Sequence, residues 1–540
     1  MGKILTVLLA LVLVAMSTEA QNIPLRPDMP EGLPGALIRG GRGATAFYML
    51  DTLCDASVVS GVIAGGPSAA FGDTAYKECS YRYFIEDAPE AKRVGFWVTK
   101  GWVYAQDEFT AVNGNFTLKG ETAPGPIGIK NYRTIIREEA DSTYFSHMRF
   151  YTTDSVAVAT ANCEQEGIEY RVRSTATEDL SGGATDHCSF AFGTDALVDI
   201  RNQNPVNRMI DKILGIWNLY FCPMDSTGGA INTTAPADSC SPATVTHAYA
   251  YGTGVSNQDA LDDTKGIQDV THYQNAFIHF RSRGPQANCK LNFINNAVYN
   301  PLGTVTELRN EGDPDYLPRT FNIIANYYKK GPATLNGTYP IEVGTGDPDT
   351  DTLAVQSKVY IWGNEFDDNG FDPWVTPHFN DQSVLDHQVY ASQNMSFADV
   401  PVMGASEAFD YVIAHAGATP TNRIPIESTA MADARSNTGN TSTYVNHKGI
   451  PRNMADVAGG FPAISGSGMK QTTFRLPANP NGDDDSDGYL NWEEYVYVYF
   501  TLAAENQSSK KTLKIGYLQE RYPWMKDTML EISDAFAYNN

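Results

Sequence analysis

The chain has 540 residues, a formal net charge of −24 and 42% hydrophobic residues. At ~150 residues per domain this allows three or four domains or one long β architecture with a large core. The acidic balance argues against nucleic acid and anionic membranes as partners and points to a protein that binds cations, or reaches acidic material through them.

In chain order, the first feature is an address. Lys3 precedes the apolar run ILTVLLALVLVAM and then STEA, which has the layout of a secretory signal peptide cleaved after Ala20. The run is shorter than the ~20 residues a membrane-spanning helix needs, and no later stretch is apolar enough to span. The mature protein is therefore expected to be extracellular, where disulfides persist. Seven cysteines, at 54, 79, 163, 188, 222, 240 and 289, leave at least one unpaired within the chain. Cys54–Cys79 and Cys222–Cys240 each close a local loop and are the expected pairs, while Cys188 reads as a buried thiol. N-x-S/T sequons at Asn115, Asn232, Asn336, Asn394, Asn440 and Asn506 fit a glycosylated secretory protein.

Aromatic residues make up 11% of the chain, with 29 tyrosines, 46 glycines and 29 prolines, a mixture that favours strands and turns. Helical periodicity is scarce before residue 480. Short β-rich runs recur instead: YQNAF at 273, FINNAV at 293, IIANYY at 323 and IWGNEF at 361. Each holds an asparagine (275, 296, 326, 364), a residue that accepts left-handed geometry and bonds to neighbouring backbone, so these asparagines can turn the chain and stack as a ladder. The spacing suits a solenoid with loop insertions. The expected fold is all-β, a right-handed parallel β-helix over residues 21–475, with 226–266 and 365–400 as long irregular loops. Residues 476–540 form a separate C-terminal segment with a short helical tail.

That segment opens on NGDDDSDGYLNWEE. Asp483, Asp485, Asp487, Gly488, Tyr489, Asn491 and Glu494 fall at positions 1, 3, 5, 6, 7, 9 and 12 of an EF-hand loop. Three carboxylates converge on one hard cation, Gly488 permits the sharp turn, Tyr489 offers its carbonyl, Asn491 holds the ninth position and Glu494 closes the site. RLPANPNG before the loop is full of helix breakers, so a lone structural Ca²⁺ loop is expected rather than a paired sensor.

Several segments together resemble the family one pectate lyases, a family of polysaccharide lyases. They are GGRGATAFYM, NFTLKGETAPGPIGIK, FSHMRFYTTD, TDHCSFAFGTDALVDI, YQNAFIHFRSRGPQANCKLNFINNAVYN, NIIANYYKKGPAT and AHAGATPTNR, in collinear order over residues 36–465. The resemblance implies an acidic cluster on one face of the β-helix that binds Ca²⁺, which bridges to substrate carboxylates. Asp195 and Asp199 match the family's D-x-x-x-D pair. On an ideal strand they stand about 13 Å apart, so either the segment bends or each serves a different ion. A third ligand is expected from the preceding rung, at Glu169 or, failing that, Asp154.

The implied chemistry is β-elimination across a uronic acid: a base removes the C5 proton and the C4 oxygen leaves. Arg283 matches the family's R-x-P base, a role that asks for a strongly shifted guanidinium or high pH. Lys265 is the candidate substrate-binding lysine. The family carries a further arginine three residues after the proline, where this chain has Asn288. Asp186 and His187 are read as wall residues that bond backbone. The function expected is a secreted, monomeric, calcium-dependent lyase acting on pectate or a related uronate polymer. The alternative is a non-catalytic glycan-binding or structural matrix protein on the same fold. A β-helix glycoside hydrolase needs a second set of paired carboxylates, which the sequence does not offer.

Overall fold

The computed structural model describes residues 23–505, apart from 31, 56–57, 60–61, 64–77, 90, 106, 153–165, 194–195, 223–250, 258–265, 309–318, 345–357, 376–377, 380–399, 440–460, 471–473 and 485–487. The signal-peptide segment, Cys163, Cys240 and the sequons at Asn232, Asn394, Asn440 and Asn506 lie outside the described residues.

The chain winds as a right-handed parallel β-helix. One sheet has eleven strands, a second has nine, and the third is built from a five-stranded and a four-stranded group. Among the described residues the antiparallel pairings are the short pair Val58–Val59 and Val62–Ile63 and the isolated bridge of Thr99 to Lys470. Strands of the first and second sheets are joined by two residues in coil after coil, as between Val270–Tyr273 and Ala276–Ile278. The first linker residue takes a left-handed conformation throughout: His147, His187, Trp217, Gln274, Asn295, Ala325 and Gly363 all have φ between 47° and 65°. Such backbone costs of order 1–2 kcal/mol at a residue with a Cβ, so something must offset it.

The second linker residue does so. Asn218, Asn275, Asn296, Asn326 and Asn364 stack as the expected ladder. The side-chain oxygens of Asn275, Asn296, Asn326 and Asn364 each accept the backbone N–H of the asparagine one coil earlier, at 2.8–2.9 Å, and that of Asn218 accepts the Cys188 N–H at 2.7 Å. Each amide nitrogen donates to a strand carbonyl of the preceding coil, as Asn296 does to His272 at 3.0 Å. Inside the coil Phe150, Phe190, Tyr220 and Phe277 stack rung upon rung, with centroids 4.7–5.4 Å apart, each pair worth ~0.5–1.5 kcal/mol beyond its burial.

Two helices, Ala405–His415 and Pro425–Ser436, were not expected from the sequence. They cover the outer face of the second sheet, packing Phe409, Val412, Ile413, Ala430 and Met431 against Leu219, Phe221, Ile278 and Tyr299. Residues 251–257, 365–367 and 378–379, all expected in loops, form strands. The N-terminal residues Leu25, Leu33, Ala36 and Ile38 cover the first sheet. Near its first coils the C-terminal helix Asn491–Val496 adds Trp492 and Val496 against Val94 and Phe96. No helix among the described residues is long and apolar enough to cross a membrane.

Cys54 and Cys79 form a disulfide. Cys222 is buried in the apolar layer beneath the helices; Cys240, its expected partner, lies outside the described residues. Cys188 is a buried thiol, as read.

Candidate functional site

The first and second sheets carry apolar coverings on their outer faces. The outer face of the third sheet carries charge. On the strand Ile168–Val172, Ile168, Tyr170 and Val172 point into the core, so Glu169 and Arg171 point outward. On Ala196–Asn202, Val198 and Ile200 point in, and Asp199 and Arg201 point out. The parallel register sets Glu169 directly beside Asp199 and Arg171 beside Arg201. Neighbouring strands lie ~4.8 Å apart, a separation that lets two carboxylates reach one cation bonded at about 2.3–2.6 Å. The strand begins at Ala196, and Asp195 lies outside the described residues, as do Asp154 and Lys265.

Glu169 is fully buried and held by two guanidiniums: Arg171 through Nε and Nη2, and Arg133 Nη1 at 3.0 Å. Arg133 also pairs with Glu166 at 2.6 Å and Glu108 at 2.7 Å. Burial alone would lower the Arg133 pKa, but Glu166, Glu169 and Glu108 drive it further above its ordinary value, so the guanidinium stays charged. A cation at this position would have to share Glu169 with these arginines; Asp199, 8% exposed, lies beside it on the outer face. Arg133, Glu166 and Glu108 were not singled out from the sequence. The signal that could have found them is an arginine two positions ahead of the apolar pair Ile135–Ile136, placed one coil from an E-x-x-E spacing at Glu166 and Glu169.

Arg283 belongs to the same side of the molecule. It lies in the connection from the second sheet into the strand Gln286–Ala287, partly exposed, with φ 57°. That strand abuts Tyr251–Asn257, which itself pairs with the Asp199 strand, where Asp199 stands beside Gly254. Arg283 therefore introduces a rung two strand spacings from Asp199, ~10 Å along the coil axis. Asn288, where a second arginine was looked for, is buried.

At the C-terminal loop the described residues form a tight turn that leads into the helix Asn491–Val496. Asp483 Oδ2 accepts the Gly488 N–H at 2.9 Å, closing the turn, and Gly488 has φ 96°. A Cβ at Gly488 would stand 1.8 Å from Ile23. Asp483 Oδ1 is buried with no hydrogen-bond partner, an acceptor waiting for a cation. Asn491 starts the helix, which puts Glu494 in its first turn, and Tyr489 lies under Arg42 at 5.2 Å. Glu493 ties the loop to the first coil through Arg42 at 2.7 Å. Asp485 and Asp487 lie outside the described residues.

A second charged cluster sits under the C-terminal segment on the first sheet. Asp186 accepts from Tyr144 Oη at 2.6 Å and Arg26 Nη1 at 3.1 Å, and His187 Nδ1 lies 2.6 Å away. His147, His187 and Glu505 offer ligand atoms within 4.8 Å of one another. Arg26 Nη1, however, is 2.8 Å from Glu505, so the cluster already contains its own cation. It joins the two ends of the described chain to the coil and lies on a different sheet from Asp199; the side chains of Asp186 and His187, read as bonding backbone, instead bond other side chains.

No protein-family model matches the chain, and no characterised protein matches it in sequence. Among solved structures it is similar to the cedar-pollen allergen Jun a 1, with 12% identity over 70% of this chain and 90% of that one and a TM-score of 0.40. It is also similar to pectate lyase Bsp165PelA from Bacillus sp. N165, solved with trigalacturonate, with 14% identity over 70% and 94% and a TM-score of 0.41. Pectate lyase II from Xanthomonas campestris shares 13% identity over 72% and 98%, with a TM-score of 0.36. Likenesses at these identities concern the fold.

Proposed function

We propose that the protein is a secreted, calcium-dependent polysaccharide lyase that cleaves pectate or a related uronate polymer by β-elimination. The observation that carries this reading is the register of Glu169 beside Asp199 on the third sheet, with Arg283 opening a strand of the same sheet two rungs away. Asp199 and Asp195 hold the ion, with Glu169 beside them in shared use with Arg133 and Arg171. Ca²⁺ bound there supplies a Lewis acid for the substrate carboxylate, which acidifies the neighbouring C5–H.

The residues of the chain do the rest. Lys265 binds a substrate carboxylate. Arg283, in its neutral form at high pH, accepts the C5 proton and becomes the guanidinium, the electron pair forms the C4–C5 double bond, and the C4 oxygen leaves with its electrons and is protonated by solvent. The loop of Asp483, Asp485, Asp487, Tyr489, Asn491 and Glu494 holds a separate, structural Ca²⁺ that locks the C-terminal segment to the first coil. The Cys54–Cys79 disulfide agrees with an extracellular site of action, and the active unit is a monomer. The test is Arg283→Ala: it should abolish formation of unsaturated product from polygalacturonate while leaving the far-UV circular dichroism of the fold unchanged. Turnover that survives this substitution removes Arg283 from the chemistry.

The buried Asn288 and the arginine-held Glu169 favour a second reading, a glycan-binding protein without turnover. Saturable binding of uronans with no new unsaturated ends would select it.

A further inference from the structure

The register that sets Glu169 beside Asp199 also builds a column of like charge. Arg171 is paired with Arg137 on one side and with Arg201 on the other. All three point away from the core, since Ile136, Tyr170 and Ile200 point into it. All three are partly exposed. Like charges directly opposite on neighbouring strands are destabilising, and in a chain of net charge −24 three stacked guanidiniums run against the overall composition.

The three are not equally committed. Arg171 is engaged by Glu169. Arg137, at the N-terminal end of the column, makes no ion pair among the described residues, and its Nε is buried without an acceptor. Its neighbours in sequence, Glu138 and Glu139, are taken by Arg173. The partly exposed guanidinium is the part of Arg137 that faces solvent, and a guanidinium binds a carboxylate through two parallel bonds. The column runs along the coil axis at one arginine per ~4.8 Å, on the same face as Asp199.

We propose that Arg137, Arg171 and Arg201 form a binding strip for the carboxylates of an extended acidic polysaccharide laid along the coil axis, with Arg137 as its outermost subsite. The strip lengthens the binding face from Asp199 toward the N-terminal coils, away from Arg283. It rests on the reading that this face takes an acidic glycan, and it does not depend on turnover. A chain too short to span from the Arg283 rung to Arg137 gains nothing from the strip, so Arg137 acts on long substrates and not on short ones.

The experiment is calorimetric titration of the full-length protein with a long and a short oligogalacturonate in Ca²⁺, alongside absorbance for unsaturated product. Arg137→Gln should weaken the long ligand about tenfold or more and leave the short one unchanged. Arg137→Lys should recover part of the loss, and Lys358→Gln, an exposed cation on the first sheet, should change neither. Matching thermal midpoints show that the fold is intact. Long-ligand binding equal to wild type in Arg137→Gln overturns the strip, and product formation by the wild type then leaves the lyase reading standing. Arg137-dependent binding without product upholds the strip and removes the lyase. No binding by the wild type overturns the strip.

Discussion

Asn296→Ala tests what holds the coils in register. The Asn296 oxygen accepts the backbone N–H of Asn275 at 2.9 Å and its side-chain amide at 3.2 Å. Its nitrogen donates to His272 O at 3.0 Å and to Asn326 Oδ1 at 2.9 Å. The residue is fully buried. Alanine leaves the Asn275 N–H without an acceptor, at ~1–3 kcal/mol, and deletes three further bonds worth ~0.5–1.5 kcal/mol each, a loss of roughly 3–7 kcal/mol. Asn364→Ala at the last described rung should cost only ~1 kcal/mol or less, because Asn364 is partly exposed and water can replace its contacts. Solenoids need not unfold in two states, so hydrogen exchange is the cleaner assay. The Asn275 amide should lose protection in Asn296→Ala and keep it in Asn364→Ala. Equal costs for the two variants would refute the argument that buried amide bonding, and not packing, fixes these turns.

The remaining predictions concern charge and metal. His272 is buried among Tyr220, Phe277 and Phe293 with no partner on either ring nitrogen, and burial lowers its pKa to about 3. Its folded value lies below the ordinary 6.5, so stability falls as pH drops from 6.5 toward 3, by about 2.7 kcal/mol at pH 4.5. His272→Leu should flatten that limb of a stability–pH profile, and an unchanged limb would assign it elsewhere. His147 shows the opposite sign. Burial works to lower its pKa, but Glu121 and Glu505 push it up to about 9. Its contribution is therefore complete below pH 6.5 and lost as pH rises through 9. His147→Gln should remove the alkaline decline seen by thermal denaturation. Asp483→Ala should abolish any rise in melting temperature on adding Ca²⁺ that the C-terminal loop contributes, and an undiminished rise would place the stabilising ion elsewhere.

Much of the fold was legible because asparagines 275, 296, 326 and 364 recur inside apolar runs, and the ladder they form is a local, repeating device. The linker before them was not legible: Gln274 and Ala325 carry no signal for left-handed backbone, which the coil imposes on them. The helix Ala405–His415 was legible in principle, since Ala405, Ala408, Phe409, Val412 and Ile413 follow helical spacing, but it sits amid polar segments that drew the eye to loops. At the candidate site, Glu169 and Asp199 were found one by one through resemblance. Their adjacency is a product of coil length, and Arg133, which neutralises Glu169, lies just past the quoted segment NFTLKGETAPGPIGIK, at a position no motif covers. Arg26 and Glu505, bonded across 479 positions, lie beyond any local pattern.

The central claim is that this outer face performs β-elimination with a cation held by carboxylates. The most direct measurement is ultraviolet absorbance of polygalacturonate incubated with the purified protein at alkaline pH, with Ca²⁺ and then with excess EDTA. The account predicts a steady rise from new C4–C5 double bonds that stops on chelation. A flat trace across uronate polymers, or a rise indifferent to EDTA, contradicts it.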